Sequence, residues 1–203
     1  MPAPARPPVP APARPPVPAP ARQRTAMALA LAVLAAGALT TGCGGASAAQ
    51  DGLREWSPGQ RPVAPAVTGS TLDARPYDSA AARGKVVVMN FWASWCPPCQ
   101  DEAATLQQVY ADTKGSGVTF VGVDVRDDRS AARSFARAHG ITYPSIFDPS
   151  SETLLAFRKP TLPTSPPTTL VIDREGRVAA MIAGAATFTR LEPLVRRVAA
   201  EES

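Results

Sequence analysis

The apolar residues of the chain follow two spacings, and together they predict strands that alternate with helices. Residues 86–92 form an almost unbroken apolar run, which is typical of a central strand covered on both faces. The stretch after Cys99 places Ala103, Leu106 and Val109 at helical spacing, so it predicts a helix. The same two spacings predict further strands at 118–125, 168–173 and 177–183, and further helices at 130–138, 150–157 and 191–198.

The predicted central strand runs directly into two cysteines, Cys96 and Cys99, which are separated by Pro97 and Pro98. Pro97 suits the first position of a helix, because its missing N–H would have no partner there, and this places Cys96 at the N-cap. The first amides of a helix carry partial positive charge, so they stabilise a thiolate and make it a better nucleophile at neutral pH. We therefore expect Cys96 to attack a partner disulfide and Cys99 to resolve the mixed disulfide.

A zinc site and an inert disulfide are the two alternatives to a redox pair. A structural zinc site needs four ligands, usually from two knuckles, whereas the chain has three cysteines and a single histidine, His139. A bridge between residues this close in the chain closes too small a loop to add much stability. We therefore expect no bound metal, and no cofactor beyond the redox-active disulfide Cys96–Cys99.

The stretch FWASWCPPC resembles the active site of the thioredoxin superfamily, and most of all the extracytoplasmic TlpA/ResA/DsbE-type thiol-disulfide oxidoreductases. The resemblance covers roughly residues 63–200. It implies an α/β, thioredoxin-like fold: a mixed central sheet with helices on both faces and an N-terminal β-hairpin extension. We expect that hairpin at 66–73 and 76–78.

The resemblance also assigns supporting residues to the cysteine pair. In the family a cis-proline precedes a strand beside the cysteines, and its position matches Pro167 here. Thioredoxins have a buried aspartate that accepts the proton of the second cysteine. Asn90 occupies that place here and cannot titrate. Glu102, one helical turn after Cys99, is therefore expected to accept the proton of Cys99. Trp95 is expected to cover the cysteines from the solvent side, with Pro97 and Pro98 completing the site.

The first 42 residues have the layout of an export signal. Residues 1–25 are dominated by a Pro/Ala/Arg repeat with no apolar face to bury, so we expect a disordered tail. Residues 26–42 hold an apolar stretch typical of a signal peptide, and it is too short for a membrane span of about 20 residues. The stretch ends in Thr-Thr-Gly before Cys43, which resembles a bacterial lipobox and predicts lipidation of Cys43.

A lipid on Cys43 would place the protein at the extracytoplasmic face of the cell membrane. Residues 43–62 are then predicted to be a flexible tether and 63–203 the thioredoxin-like domain. Lipidation would also explain a lone third cysteine outside the cell. The alternatives are cleavage after the small residues 46–48, which would give a secreted protein, and an uncleaved N-terminal membrane anchor.

The charge distribution gives no support for nucleic-acid binding. The net charge of +4 comes from four arginines that precede Cys43, and the rest of the chain carries 17 basic and 17 acidic residues. A formally neutral domain without a basic patch among aromatic residues does not attract nucleic acid. We expect proteins, rather than nucleic acids, to be its partners.

The resemblance implies an enzyme that exchanges disulfides with the thiols and disulfides of exported proteins. We expect a monomeric reductant, supplied with electrons by a membrane thiol donor such as a CcdA/DsbD-like protein, with cytochrome c maturation as a candidate task. A disulfide-forming oxidant of the same fold is the alternative. Two further classes fit less well: a copper-delivery protein would want longer cysteine spacing and a distal histidine, and a peroxiredoxin-like peroxidase would have threonine in place of Ala93.

Overall fold

The computed structural model describes residues 52–159, 161, 163 and 165–201. Within these residues the chain forms eight strands: β1 (Leu53–Glu55), β2 (Thr68–Ser70), β3 (Pro76–Asp78), β4 (Val86–Trp92), β5 (Val118–Val125), β6 (Ser145–Asp148), β7 (Thr168–Ile172) and β8 (Val178–Ala183). It also forms four α-helices: α1 (Pro97–Thr113), α2 (Arg129–Ala138), α3 (Glu152–Phe157) and α4 (Phe188–Ala199). In the described part, no helix is both long and apolar enough to cross a membrane.

Six of the strands form one mixed sheet in the order β1-β8-β7-β4-β5-β6. Strands β4, β5 and β6 are parallel, because each is joined to the next by a helix that returns the chain to the same end. Strand β7 lies antiparallel to β4, and β8 and β1 continue the antiparallel side. This arrangement confirms the predicted thioredoxin-like α/β fold.

Helices cover both faces of the sheet. All seven residues of β4 are buried, and successive side chains point to opposite faces. Val88 packs with Leu106 of α1 and Leu191 of α4. On the other face, Phe91 meets Phe157 of α3 with ring centroids 5.7 Å apart. The predicted two-sided burial of the central strand is thereby confirmed.

The predicted N-terminal hairpin is present as the antiparallel pair β2 and β3, in which Thr68 lies opposite Asp78. Its turn packs at the β6 edge of the main sheet, where Leu72 N donates to Ser145 O at 2.8 Å. The hairpin therefore belongs to the folded domain and covers an otherwise open strand edge.

The last part of the segment predicted to be a tether, 53–62, is instead built into the domain. Strand β1 pairs with β8, and Arg61 is buried, with its guanidinium 3.1 Å from Asp173 and 2.6 Å from Glu201. The sequence pattern missed this because β1 has three residues and only one of them, Leu53, is apolar. Residues 1–51, including the predicted tail, signal region and start of the tether, lie outside the described residues.

Candidate active site

The cysteine pair lies where β4 gives way to α1. Cys96 is the N-cap residue, with extended backbone angles, and Pro97 is the first residue of the helix, as predicted. The two sulfurs form a disulfide, and the two Cα atoms are 5.3 Å apart. Both cysteines are buried in this oxidised state, whereas Pro97 and Pro98 are exposed. The prolines therefore form the solvent face of the site.

Residues after β5 hold the loop that precedes Cys96. Asp127 accepts hydrogen bonds from the backbone N and Oγ of Ser94, at 2.5 and 2.9 Å. Trp95 Nε1 donates to the carbonyl oxygen of Arg126 at 2.9 Å, and the Arg126 guanidinium lies 5.6 Å from the centre of the Trp95 ring. Trp95 is 52% exposed, so it offers a large apolar surface to a partner next to Cys96. Its predicted role as a cover over the cysteines stays a prediction.

Glu102 is buried beneath the first turn of α1, at 1% exposure. Its Oε1 accepts a hydrogen bond from Asn90 Nδ2, and its Oε2 accepts one from the backbone N of Ala186, both at 2.7 Å. Asn90 Nδ2 also donates to Thr169 Oγ1 at 3.1 Å. Residues from β4 and the segment after β8 thus bind the carboxyl group of this α1 residue, and Thr169 of β7 is linked to it through Asn90.

The environment of Glu102 raises its pKa to about 7 from an ordinary value of 4.5. Burial is the largest cause, since it disfavours the charged form. The hydrogen bonds from Ala186 and Asn90 favour the carboxylate and limit the rise in the pKa. Glu102 can therefore hold or release a proton near neutral pH. The contact with the backbone of Ala186 could not be found from sequence, because every residue type except proline supplies the same amide N–H.

The peptide bond between Pro166 and Pro167 is cis, which confirms the prediction for Pro167. The next residue, Thr168, lies opposite Phe91 in the ladder between β7 and β4. Pro167 is therefore beside the end of β4, where the loop to the cysteines begins. Its carbonyl oxygen accepts a hydrogen bond from the backbone N of Gly184 at 2.9 Å.

A second buried acid, Asp124, was not identified from sequence. It lies opposite Trp92 in the ladder between β4 and β5, and neither carboxyl oxygen has a hydrogen-bond partner among the described residues. Burial, followed by the nearby Asp127, raises the pKa of Asp124 to about 8. The sequence shows only one charged residue in an otherwise uncharged strand, and its lack of hydrogen-bond partners depends on neighbours from other strands.

The predicted site residues divide into two groups. Cys96 and Cys99 are bonded, Glu102 lies one helical turn beyond them, and Pro167 precedes the strand next to β4. Cys43, the predicted lipidation residue, lies outside the described residues. Among the described residues, no group of three or more His, Cys, Asp or Glu side chains is arranged to hold a metal ion.

A mixed sheet whose central strand runs into a Cys-Pro-Pro-Cys helix start, next to a cis-proline, defines a thioredoxin-like thiol-disulfide oxidoreductase. Comparison with known families agrees with that class. The chain belongs to the AhpC/TSA family, whose model matches residues 61–181, more than half of the 203 residues.

Two relatives have the same activity in their names. The thiol-disulfide oxidoreductase ResA of Geobacillus thermodenitrificans (strain NG80-2) is 33% identical over 125 residues, which is 62% of this chain and 70% of the relative. The ResA protein of Bacillus subtilis (strain 168) is 33% identical over 105 residues, or 52% of this chain and 56% of the relative. The matches support a protein thiol-disulfide oxidoreductase activity for this chain.

Solved structures give the same result. A secreted thiol-disulfide isomerase from Corynebacterium glutamicum has a TM-score of 0.67 at 28% identity, covering 74% of this chain and 93% of that one. A secreted disulfide oxidoreductase of Mycobacterium tuberculosis, described as homologous to E. coli DsbE, has a TM-score of 0.58 at 28% identity, covering 64% and 95%. This chain is thus an oxidoreductase of the ResA/DsbE type.

Proposed function

We propose that this oxidoreductase reduces disulfides in exported proteins. The observation that carries the proposal is Glu102, which lies three residues after Cys99 on α1 and is therefore its neighbour on the helix. With a pKa of about 7, Glu102 is present both with and without its proton at neutral pH. Such an acid can take the thiol proton of Cys99 at the step that releases the reduced partner.

The reaction follows the order of the two cysteines along the helix. The Cys96 thiolate attacks one sulfur of the partner disulfide, and the other partner sulfur leaves as a thiolate. Glu102 then takes the proton of Cys99, whose thiolate attacks the Cys96 sulfur. The partner leaves with two reduced sulfurs, and the chain retains the Cys96–Cys99 disulfide. Two electrons have passed from the protein to its partner.

The proposal includes a location and partners. A lipid on Cys43 would hold the domain at the extracytoplasmic face of the cell membrane, and the two secreted structural neighbours support a location outside the cytoplasm. A membrane thiol donor of the CcdA/DsbD kind would reduce the disulfide again, and the domain would act as a monomer. Cytochrome c maturation is the candidate task that the family resemblance implies, so exported apocytochrome c with a cysteine pair is the first substrate to try.

The reduction potential of the Cys96–Cys99 pair, measured in graded thiol buffers, tests the direction. A value of about −250 mV or lower, in the range of thioredoxin, is expected for a reductant. A value of about −120 to −180 mV would overturn the proposed direction, because such pairs oxidise or isomerise their partners. In parallel, Cys99→Ser should trap mixed disulfides on Cys96, whereas the matched variant Cys96→Ser should trap none by the same route.

Disulfide formation or isomerisation is the second candidate function, favoured by the likeness to the C. glutamicum isomerase. It uses the same two cysteines but transfers electrons in the opposite direction. The reduction potential of the Cys96–Cys99 pair therefore distinguishes the two candidate functions. Copper binding, or consumption of peroxide, without any trapped protein adduct would contradict both and would favour a copper-delivery protein or a peroxidase.

A further inference from the structure

A cleft of about 330 Å³ opens beside the active site, on a part of the surface that the exchange reaction does not use. Its lining includes Arg126, which follows β5, and five residues at or near α3: Ser150, Ser151, Leu154, Leu155 and Arg158. Arg126 connects the cleft to the cysteines, because it holds Trp95 through its carbonyl oxygen and its guanidinium. Trp95 directly precedes Cys96, so a partner cysteine at Cys96 has its neighbouring residues near this cleft.

Two of the cleft residues have an unusual backbone. Arg126 has a φ of 52° and Ser151 a φ of 61°, and within the described residues only Ala74 is a further non-glycine residue with positive φ. A residue with a side chain is strained in this region of backbone angles, and such residues concentrate at ligand-binding sites. Both residues are therefore held in place by the surrounding fold, at the edge of the same cleft.

Ser151 also has an unsatisfied polar group. The residue is 7% exposed, and its Oγ is buried without a hydrogen-bond partner among the described residues. Buried hydroxyl groups are normally hydrogen-bonded, and a serine hydroxyl can donate one bond and accept others. A bound group with an acceptor oxygen would satisfy this hydroxyl.

The charge and polarity of the cleft indicate what it binds. Arg126 and Arg158 are exposed, the described lining contains no acidic residue, and neither arginine forms an ion pair within the described residues. Leu155 is 53% exposed and Trp95 is 52% exposed, which makes both available for apolar contact. The surface therefore combines positive charge with exposed apolar groups and suits an acidic side chain next to an apolar one.

We propose that this cleft recognises the partner polypeptide, by binding an acidic residue and a neighbouring apolar residue that lie close in sequence to the partner's reacting cysteine. The inference rests on the proposed function and specifies its substrates: exported proteins with acidic and apolar residues around the exchanging cysteine. The acidic group pairs with Arg126 and Arg158 and accepts from Ser151, while the apolar side chain packs on Leu155. The same arginines disfavour a basic segment.

The test compares two peptides that differ only in charge. Each peptide contains one cysteine. In the acidic peptide the cysteine has Asp-Leu on both sides, and in the basic peptide it has Lys-Leu on both sides. Each cysteine is joined to thionitrobenzoate as a mixed disulfide. When the Cys96 thiolate of the full-length reduced protein attacks the peptide sulfur, thionitrobenzoate leaves with the bonding electron pair, and its absorbance gives the rate.

The wild-type protein should react about fivefold faster with the acidic peptide at low salt, and the difference should shrink as salt increases. Arg158→Glu should lower this ratio to about one or below. Lys114→Glu is the matched control, because it makes the same charge change at the other end of α1, about 25 Å along the helix. The control should keep the wild-type ratio. Leu155→Ser should slow the reaction with the acidic peptide.

Three results would overturn the proposal. The wild type could react equally fast with the acidic and the basic peptide, Arg158→Glu could keep the wild-type ratio of these two rates, or Lys114→Glu could lower that ratio as much as Arg158→Glu does. The neutral bis(hydroxyethyl) disulfide separates this failure from failure of the proposed function. If the wild type reduces that small disulfide but does not distinguish the peptides, only the cleft proposal is wrong. If it reduces none of the three compounds, the proposed reductant function is wrong as well.

Discussion

Replacing Glu102 by glutamine removes the ionisable group and keeps the shape of the side chain. The carbonyl oxygen of the new side chain would still accept from the Ala186 amide, and its amide group would donate to Asn90 after the Asn90 side chain turns over. The rotated Asn90 could then accept from the Thr169 hydroxyl as well, so the buried groups remain hydrogen-bonded. The variant should fold and differ from the wild type in its response to pH.

The magnitude follows from the pKa of Glu102. Its rise from 4.5 in the unfolded chain to about 7 in the folded protein corresponds to about 3 kcal/mol, at about 1.4 kcal/mol per unit. Because the folded protein binds the proton more tightly, this stability is fully present below pH 4.5 and is lost as the pH rises through 7. Glu102→Gln should therefore gain about 3 kcal/mol relative to the wild type between pH 4 and pH 8.5.

Guanidinium unfolding of the oxidised proteins at several pH values measures this difference. Glu175→Gln is the control, since it removes a carboxylate from the exposed turn between β7 and β8 and should follow the wild type. If Glu102→Gln also follows the wild type between pH 4.5 and 7, then Glu102 does not bind a proton there, and its role as proton acceptor is refuted. Where the role holds, the variant should also release the partner from Cys96 at least about tenfold more slowly.

Two further predictions concern the buried ionisable side chains of Asp124 and Arg61. Asp124→Asn should be more stable than the wild type above pH 8, by up to about 6 kcal/mol, because the rise in the pKa of Asp124 from 3.8 to about 8 makes the wild type lose stability over that range. Urea unfolding in which the gap between the two proteins is the same at pH 5 and pH 9 would contradict this. Arg61→Ala should lower the free energy of unfolding by about 3 kcal/mol at pH 7, because it leaves the Asp173 carboxylate buried without its cation. Urea unfolding measures the loss, and a loss below about 1 kcal/mol would show that this ion pair contributes little to stability.

The sequence predicts those parts of the fold for which the residue pattern within a single strand or helix is sufficient. The apolar run at 86–92 and the helical spacing after Cys99 are local patterns, so the strand, the helix and the N-cap position of Cys96 could all be read from them. Strand β1 could not, because its pairing with β8 joins residues more than 120 positions apart and only Leu53 in it is apolar. The buried ion pair of Arg61 is a long-range contact of the same kind.

The two buried acids show why a candidate site is harder to predict than a fold. Glu102 and Asp124 each stand close to other acidic residues in the sequence, Asp101 and Asp127, and burial raises the pKa of both. Two features separate them: the nearby Asp127, which raises the pKa of Asp124 alone, and the supply of hydrogen-bond donors. Glu102 has two, so it can lose its proton near pH 7, whereas Asp124 has none among the described residues and keeps its proton to about pH 8.

That difference bears on the proposed role of Glu102 at neutral pH. A proton acceptor for Cys99 must be partly ionised where the enzyme works, and Glu102 meets that condition. Asp124 is neutral there, so it adds no negative charge that would oppose a thiolate at Cys96. A donor introduced beside Asp124 would reverse this, because it would stabilise the charged form and place a second carboxylate behind the active-site strand. The donors and charges around each acid, more than its position in the sequence, therefore decide which of the two is partly ionised at neutral pH, as the proposed proton acceptor must be.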